Sequence, residues 1–379
     1  MIKVCYVAHA ANLTGANQSL LDMLDGLPDE VKPFVLLPKQ GPLVNELKKR
    51  HIPYKIIFYA KAIKTPIFIK TIIKKWVLYF EKIRIKSFLQ HQDFDIVHNN
   101  SFLITTPALA AQELQIPIIC HVRDFGKEDH NIEYINEKIQ THLLNSSFVI
   151  FISKSVYRKF SKYLLRKNYE ILYDGIDVNR YLNSDKEIFN NSNINCLLSG
   201  RITKGKGQLE AVKAVERVFK DGYVNVRLTL IGACGEGKKD REYFENIKDY
   251  IKLHNLDNLV KIHSFTSNLN KWRNNSDIGL TCSSHEALGR VTVETMLSGC
   301  LAIGSNSDGT SEIITSKENG LLYQVGDYRD LAAKIEYVIK NPLEMKKVAV
   351  NGRAWARLNF DNKKYGRIIL NLYKKILYS

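Results

Sequence analysis

Three stretches combine residue types that do phosphate and sugar chemistry. In Ser199-Gly200-Arg201-Ile202-Thr203-Lys204-Gly205-Lys206-Gly207, Arg201 and Lys206 stand among glycines between an apolar run and a helical pattern. Cations beside a helix start neutralise a departing diphosphate; the plainer reading is a solvated basic loop. Before the pattern Leu20, Leu21, Leu24, Leu27, the loop His9–Gln18 places Gly15 and Ala16 where backbone N–H groups and the positive helix end attract an anion. Alone this is weak, since any such turn can carry glycine.

The third stretch is Ser283-Ser284-His285-Glu286-Ala287-Leu288-Gly289-Arg290-Val291-Thr292-Val293-Glu294. On one helix, eight residues separate the two glutamates by about 80° and about 12 Å, too far to share a small ligand side by side. With Glu286 in the preceding loop and Glu294 inside the helix, both can address one extended nucleotide sugar. Val291, Val293, Met296 and Leu297 surround Glu294. Such a carboxylate is costly unless partnered, and ribose hydroxyls would supply partners; the alternative is an exposed helix face.

Short apolar runs that alternate with helical patterns must position these loops. Strands are expected at 2–8, 33–37, 54–58, 94–98, 116–122, 147–152 and 169–173, then at 194–199, 224–231, 258–263, 277–282 and 300–304. Runs such as Phe148-Val149-Ile150-Phe151-Ile152 are nearly continuous in apolar character, the signature of parallel strands covered on both faces. Strand and helix in alternation predict an α/β protein with two doubly wound parallel sheets, one per domain. The domains are expected at 1–182 and 190–355, joined by the polar stretch 183–193.

The 379 residues suit two cores of similar size. Content of 45% apolar and 25% charged residues is that of a globular protein. No run approaches the roughly 18 to 20 apolar residues that span a bilayer, and the first residues read as a strand and not as a signal peptide. Cys5, Cys120, Cys196, Cys234, Cys282 and Cys300 are scattered, as expected of reduced cysteines in a cytoplasmic protein.

With these motifs in order, the chain resembles the retaining glycosyltransferases of family 4, which have the GT-B fold. Gly200, Arg201, Lys206 and Gly207 match the family's Gly-Arg…Lys-Gly element, and Glu286 and Glu294 its Glu-x7-Glu signature. Gly15 and Ala16 match its N-terminal loop. Asp174-Gly175-Ile176-Asp177, Gly304…Asp308-Gly309-Thr310-Ser311-Glu312-Ile313-Ile314 and Asn319-Gly320-Leu321-Leu322 extend the likeness over about residues 2–375. The departures are Asn17 for an acidic residue, Asp174 for Asn and Asp308 for Gly.

The resemblance implies that Arg201 and Lys206 grip the donor diphosphate, Glu294 the ribose and Glu286 the sugar hydroxyls. Amides of Ala287, Leu288 and Gly289 would face the sugar and β-phosphate. His121, in Cys120-His121-Val122-Arg123-Asp124, matches the active-site histidine; by itself, a histidine after an apolar run is more often structural. The final helix, 356–379, is expected to return to the first domain. The implied reaction moves a hexose-type sugar, UDP-linked by expectation, to a saccharide acceptor with retention. Stabilising the leaving phosphates is its main electrostatic task. No Asp-x-Asp triplet is present, so neither a metal nor another cofactor is expected.

The net charge is +16. Residues 1–183 carry a surplus of 8 positive charges, 7 of them within 61–90, and the tail adds Arg357, Lys363, Lys364, Arg367, Lys374 and Lys375. Within 69–83, Ile69, Ile72, Ile73, Trp76, Phe80 and Ile83 share one helical face. Lys70, Lys74, Lys75, Lys82 and Lys86 lie opposite. Either this helix packs its apolar face on its own sheet, or it lies at an anionic membrane surface and serves a lipid-linked acceptor on the inner face of the plasma membrane. Rival readings are a GT-B epimerase or hydrolase, a dehydrogenase suggested by Gly232-Ala233-Cys234-Gly235-Glu236-Gly237, and a nucleic-acid binder. The glycine order is wrong for a dinucleotide fingerprint, and no nucleic-acid module is recognisable.

Overall fold

The computed structural model describes residues 1–64, 68–126, 133–181, 186–235, 237–266 and 268–378. The chain forms two compact units, Met1–Asp177 with Phe360–Ser379, and Val178–Asn359. Of the expected linker, residues 183–185 lie outside the described residues.

The first unit runs β1 (Ile2–Val7), α1 (Gly15–Gly26), β2 (Val31–Leu37), α2 (Pro42–Lys49), β3 (Tyr54–Ile56), α3 (Phe68–Gln90), β4 (Ile96–Asn99) and α4 (Thr106–Glu113). It continues with β5 (Ile118–Val122), α5 (Glu137–Ser146), β6 (Phe148–Phe151), α6 (Lys154–Phe160) and β7 (Tyr169–Ile171). The sheet order is β3-β2-β1-β4-β5-β6-β7, with every pair parallel. Val4, Tyr6, Leu20, Val35, Ile96, Ile119 and Ile150 form its core.

The second unit contains β8 (Ile194–Ser199), α7 (Gln208–Lys220), β9 (Val226–Ile231), α8 (Lys238–Leu253), β10 (Val260–His263), α9 (Leu269–Asn274) and β11 (Ile278–Thr281). After these come α10 (Arg290–Leu297), β12 (Leu301–Ser305), α11 (Asp308–Ile313), β13 (Leu321–Tyr323), α12 (Tyr328–Lys340) and α13 (Pro342–Asn359). Its sheet, β10-β9-β8-β11-β12-β13, is also parallel. Each sheet reverses its winding once, at β1/β4 and at β8/β11. In open α/β sheets that reversal opens a crevice at the carboxyl ends of the strands. The Gly15 loop follows β1, and the Arg201 and Glu286 loops follow β8 and β11.

The last helix, α14 (Asn362–Tyr378), belongs to the first unit, whereas residues 356–359 finish α13 in the second. Tyr365, Ile369, Leu370, Leu372 and Tyr373 of α14 are buried in the first core. A side chain at Gly366 would strike the Gly26 carbonyl oxygen at 2.0 Å, so α14 and α1 meet backbone to backbone. Its basic residues Lys363, Lys364, Arg367, Lys374 and Lys375 stay exposed.

Helix α3 packs the other way round from an ordinary amphipathic helix. Glu81, Ile85 and Leu89 are buried, while Ile69, Ile72, Ile73, Trp76, Tyr79, Phe80 and Ile83 are all exposed, Trp76 at 63%. Three of the lysines expected on a free polar face are engaged with the protein. Lys74 donates to the Ile63 carbonyl (2.8 Å), and Lys82 and Lys86 both pair with Glu113 at the end of α4. Lys70, Lys75 and Arg84 remain exposed. Among the described residues no helix is long and apolar enough to cross a membrane.

Candidate active site

In the second unit the loops after β8 and β11 are built against each other. Gly207 takes a left-handed φ of 67° to start α7, and a side chain there would strike the Cys282 carbonyl oxygen at 2.2 Å. Ser284 N–H donates to the Gly205 carbonyl (3.0 Å). Lys206 Nζ lies 2.6 Å from Glu286 Oε2. Arg201 is exposed and makes no ion pair among the described residues. Lys206 and Glu286 are thus brought together, with Arg201 on the same short loop.

Glu286 lies in the loop and Glu294 within α10, the arrangement that lets two glutamates eight residues apart address one ligand. Gly289 caps α10 with φ 89°, a conformation open to glycine and costly for most other residues. Ahead of it, the N–H groups of Ala287, Leu288 and Gly289 have no hydrogen-bond acceptor among the described residues. Leu288 and Gly289 are buried and Ala287 half-buried. Gly309 N–H donates to the Glu286 carbonyl at 2.8 Å, holding the turn from the β12 side. Asp308, one of the three departures, faces His285 Nδ1 at 2.9 Å.

Glu294 is buried, but its partners differ from those expected. Arg273 donates to Oε2, while Arg290 Nε (2.8 Å) and Tyr181 Oη (3.1 Å) donate to Oε1. Burial pushes the carboxyl up, yet the two guanidiniums and the tyrosine outweigh it and hold Glu294 below the ordinary carboxylate value. The carboxylate is therefore satisfied without ribose. Arg273 and Tyr181 lie 21 and 113 residues away, beyond any local pattern.

A cavity of about 480 Å³ opens at the carboxyl ends of β9 and β10, lined by Gly232, Ala233, Cys234, Phe244, Ile262 and His263 among others. Gly232 abuts the Gly200 carbonyl, so the cavity adjoins the Arg201 loop. Glu236, from the supposed dinucleotide motif, lies outside the described residues.

In the first unit, Gly15 is exposed at the start of α1 and Ala16 half-buried behind it. Asn17 is buried and spans the loop, donating to the carbonyls of Ala10 (2.9 Å) and Asn12 (2.7 Å). Asn100 donates to the Ala16 carbonyl (3.1 Å) and accepts from Arg123 Nε (3.0 Å). Arg123 also donates to both Asp174 oxygens and, at 3.0 Å, to His121 Nδ1. Asp174, the second departure, is thus the counter-ion of a buried arginine. His121 is fully buried, and burial, then Arg123, then His98, hold its pKa well below the ordinary histidine value.

Comparison with known proteins decides the family. Residues 13–180 match the profile described as Glycosyltransferase Family 4, and residues 180–355 that of Glycosyl transferases group 1. The chain belongs to glycosyltransferase family 4. Among curated relatives of this family 4 glycosyltransferase is the capsular polysaccharide biosynthesis glycosyltransferase CapM of Staphylococcus aureus, 25% identical over 256 residues. That match covers 64% of this chain and 65% of CapM, just under two thirds of the relative. In fold the family 4 glycosyltransferase resembles Anabaena HepE, solved with UDP and glucose, at TM-score 0.83 and 22% identity over 98% of this chain and 99% of that one. It also resembles sucrose-phosphate synthase of Thermosynechococcus elongatus, at TM-score 0.76 and 16% identity over 99% of each chain. Both are of the GT-B fold seen here as two parallel-sheet units.

Proposed function

We propose that this chain transfers a hexose-type sugar from a UDP-sugar to a saccharide acceptor, with retention of anomeric configuration and without a metal ion. The observation that carries the reading is the built junction of the β8 and β11 loops. It gathers Arg201, Lys206 and three open N–H groups next to Glu286. Cations and oriented amides stabilise charge as it develops on a leaving diphosphate. The β-phosphate fits the amides of Ala287, Leu288 and Gly289, the sugar hydroxyls Glu286 and the base the cavity beside Gly232, while Glu294, held by Arg273, Arg290 and Tyr181, keeps its ribose role by the family resemblance alone. By the family resemblance, Gly15 and Ala16 would offer the start of α1 to an anion. Binding of UDP by Anabaena HepE supports the choice of base.

The reaction needs little more from the chain. As the sugar C1–O bond to phosphate breaks, the acceptor oxygen bonds to C1 from the same face. Its proton passes to the departing phosphate oxygen. The acceptor reading is a lipid-linked saccharide met at the inner face of the plasma membrane, in cell-surface polysaccharide assembly. The outward apolar stripe of α3, edged by Lys70, Lys75 and Arg84, supports it, because an exposed apolar patch of this kind suits an interfacial helix. The name of CapM points to the same kind of product.

A thermal-shift series with UDP, GDP, ADP and their sugars, with and without EDTA, tests the donor. UDP compounds should raise the melting point most, equally in EDTA. Absence of any nucleotide effect would refute the reading, and an inverted product by NMR would refute retention. Release of free sugar without acceptor at the full rate would favour the hydrolase.

A further inference from the structure

In the first unit a file of buried polar side chains runs from the C-terminal helix to His121. Tyr6 Oη and Tyr373 Oη are 2.8 Å apart, and Tyr373 Oη lies 2.8 Å from His98 Nδ1. His98 Nε2 lies 3.4 Å from His121 Nδ1, and Arg123 closes the file at 3.0 Å from that same nitrogen. His98, His121, Tyr6 and Tyr373 are each 0% exposed. The Tyr373–His98 and Tyr6–Tyr373 contacts span 275 and 367 residues, so only the folded chain assembles the file.

A guanidinium can only donate. His121 Nδ1 is therefore an acceptor, and the single proton of the neutral ring sits on Nε2. His98 Nε2 faces the same acceptor nitrogen and must be the donor there. That leaves His98 Nδ1 to accept from the Tyr373 hydroxyl, which accepts in turn from Tyr6. Asp174 gives an independent argument for the same form. Its Oδ1 lies 3.7 Å from His121 Nε2, where a carboxylate favours the protonated nitrogen. His121 Nε2 has no hydrogen-bond partner among the described residues.

We propose that Tyr373 and His98 act with Arg123 as positioning residues that hold His121 as a neutral imidazole with its proton on Nε2, presenting a hydrogen-bond donor. The C-terminal helix thereby sets the chemistry of a strand end in the first sheet. For the reaction, the inference rests on the active-site role that the family resemblance gives His121. In that role Nε2–H would address a sugar oxygen and could not remove the acceptor's proton, because Nδ1 is occupied and Nε2 is already protonated. The departing phosphate oxygen is left as the proton's destination.

The test is long-range ¹H–¹⁵N correlation on the full chain labelled at histidine, between pH 6 and 8, read beside kinetics. His98 and His121 should both appear neutral with the proton on Nε2. Tyr373→Phe should mix the tautomers of His98 and lower kcat about tenfold, with KM for UDP-sugar within about twofold. Tyr6→Phe keeps the Tyr373 hydroxyl and should leave both tautomers unchanged. A proton on Nδ1 of either ring in the unaltered protein overturns the proposal, even if Tyr373→Phe fails to fold. So does Tyr373→Phe with unchanged tautomers and kcat. Full transfer activity in His121→Ala would instead remove His121 from the sugar and leave the tautomer assignment standing.

Discussion

Lys206 Nζ rests 2.6 Å from Glu286 Oε2, one residue from each of the two loops that meet at the winding reversal of the second sheet. Both side chains are partly exposed, at 37% and 21%, so the pair itself contributes at most about 1 kcal/mol to stability. In the proposed reaction an incoming diphosphate would compete for the lysine and release the glutamate to the sugar. Lys206→Ala should therefore lower kcat/KM by about 10²–10³, the range for losing one group that stabilises developing charge. Initial rates beside urea unfolding check this, with stability nearly unchanged.

Glu286→Gln separates the two partners' roles. The amide keeps the shape of the side chain and loses the charge proposed to face the sugar hydroxyls. We expect kcat to fall by about tenfold or more while the UDP dissociation constant stays within about threefold. Calorimetric titration of UDP into the variant supplies the comparison.

Glu294 belongs to a different class, because its carboxylate closes a buried cluster. Glu294→Ala leaves Arg273, 2% exposed, without its counter-ion, at a cost of about 3–5 kcal/mol. The folded-state value of Glu294 lies below its ordinary 4.5. Its ionised form thus contributes stability above the unfolded value, and that contribution is lost as pH falls through the folded one. The stability gap between the parent and Glu294→Gln should be flat above about pH 5 and close in stronger acid. Urea midpoints across that range decide it.

His98 predicts an acid limb at higher pH. Burial, with Arg123 second, depresses it from 6.5 to about 3, so the unfolded chain binds the extra proton first. Stability should fall as pH drops from 6.5 towards 3, by up to about 1.4 kcal/mol per pH unit for each such group. His121 behaves likewise. His98→Gln should make the limb shallower by one group's share, measured by denaturant unfolding at several pH values.

Trp76 and Phe80 on α3 are 63% and 59% exposed, so replacing both with Ser costs little packing. Stability should change by no more than about 0.5 kcal/mol per substitution. Flotation with vesicles rich in anionic lipid should drop sharply. Equal flotation of parent and variant would remove the membrane reading.

All twelve strands expected from the sequence are present, each within two residues of its expected start. Continuous Val/Ile-rich runs are legible because a sheet covered on both faces requires them. The strand that escaped, Leu321–Tyr323, is three residues long and its apolar run stops at Gln324, whereas β3 and β7, equally short, lie within the longer runs 54–58 and 169–173. The loops proposed to bind the donor stand out in sequence for a similarly local reason, since glycine, cation and helix start lie within a few residues of one another.

What folding alone decided is every relationship across long separations. Periodicity finds an apolar stripe on α3 but not the direction it faces, since a helix with two usable faces turns whichever one its neighbours can hold. Glu81 accepting the Ala60 N–H, and Lys82 and Lys86 pairing with Glu113, turned the stripe outward. Glu294 announced only that it needed partners; Arg273 and Tyr181 were supplied by other elements. The basic tail reads in sequence as charge, and only its packing against α1 brings Tyr373 to His98. Sequence thus determined which short segments become strands, helix starts and charged loops, because those depend on neighbouring residues. The tertiary structure decided which buried polar groups meet, because desolvation makes each depend on a partner from elsewhere in the chain.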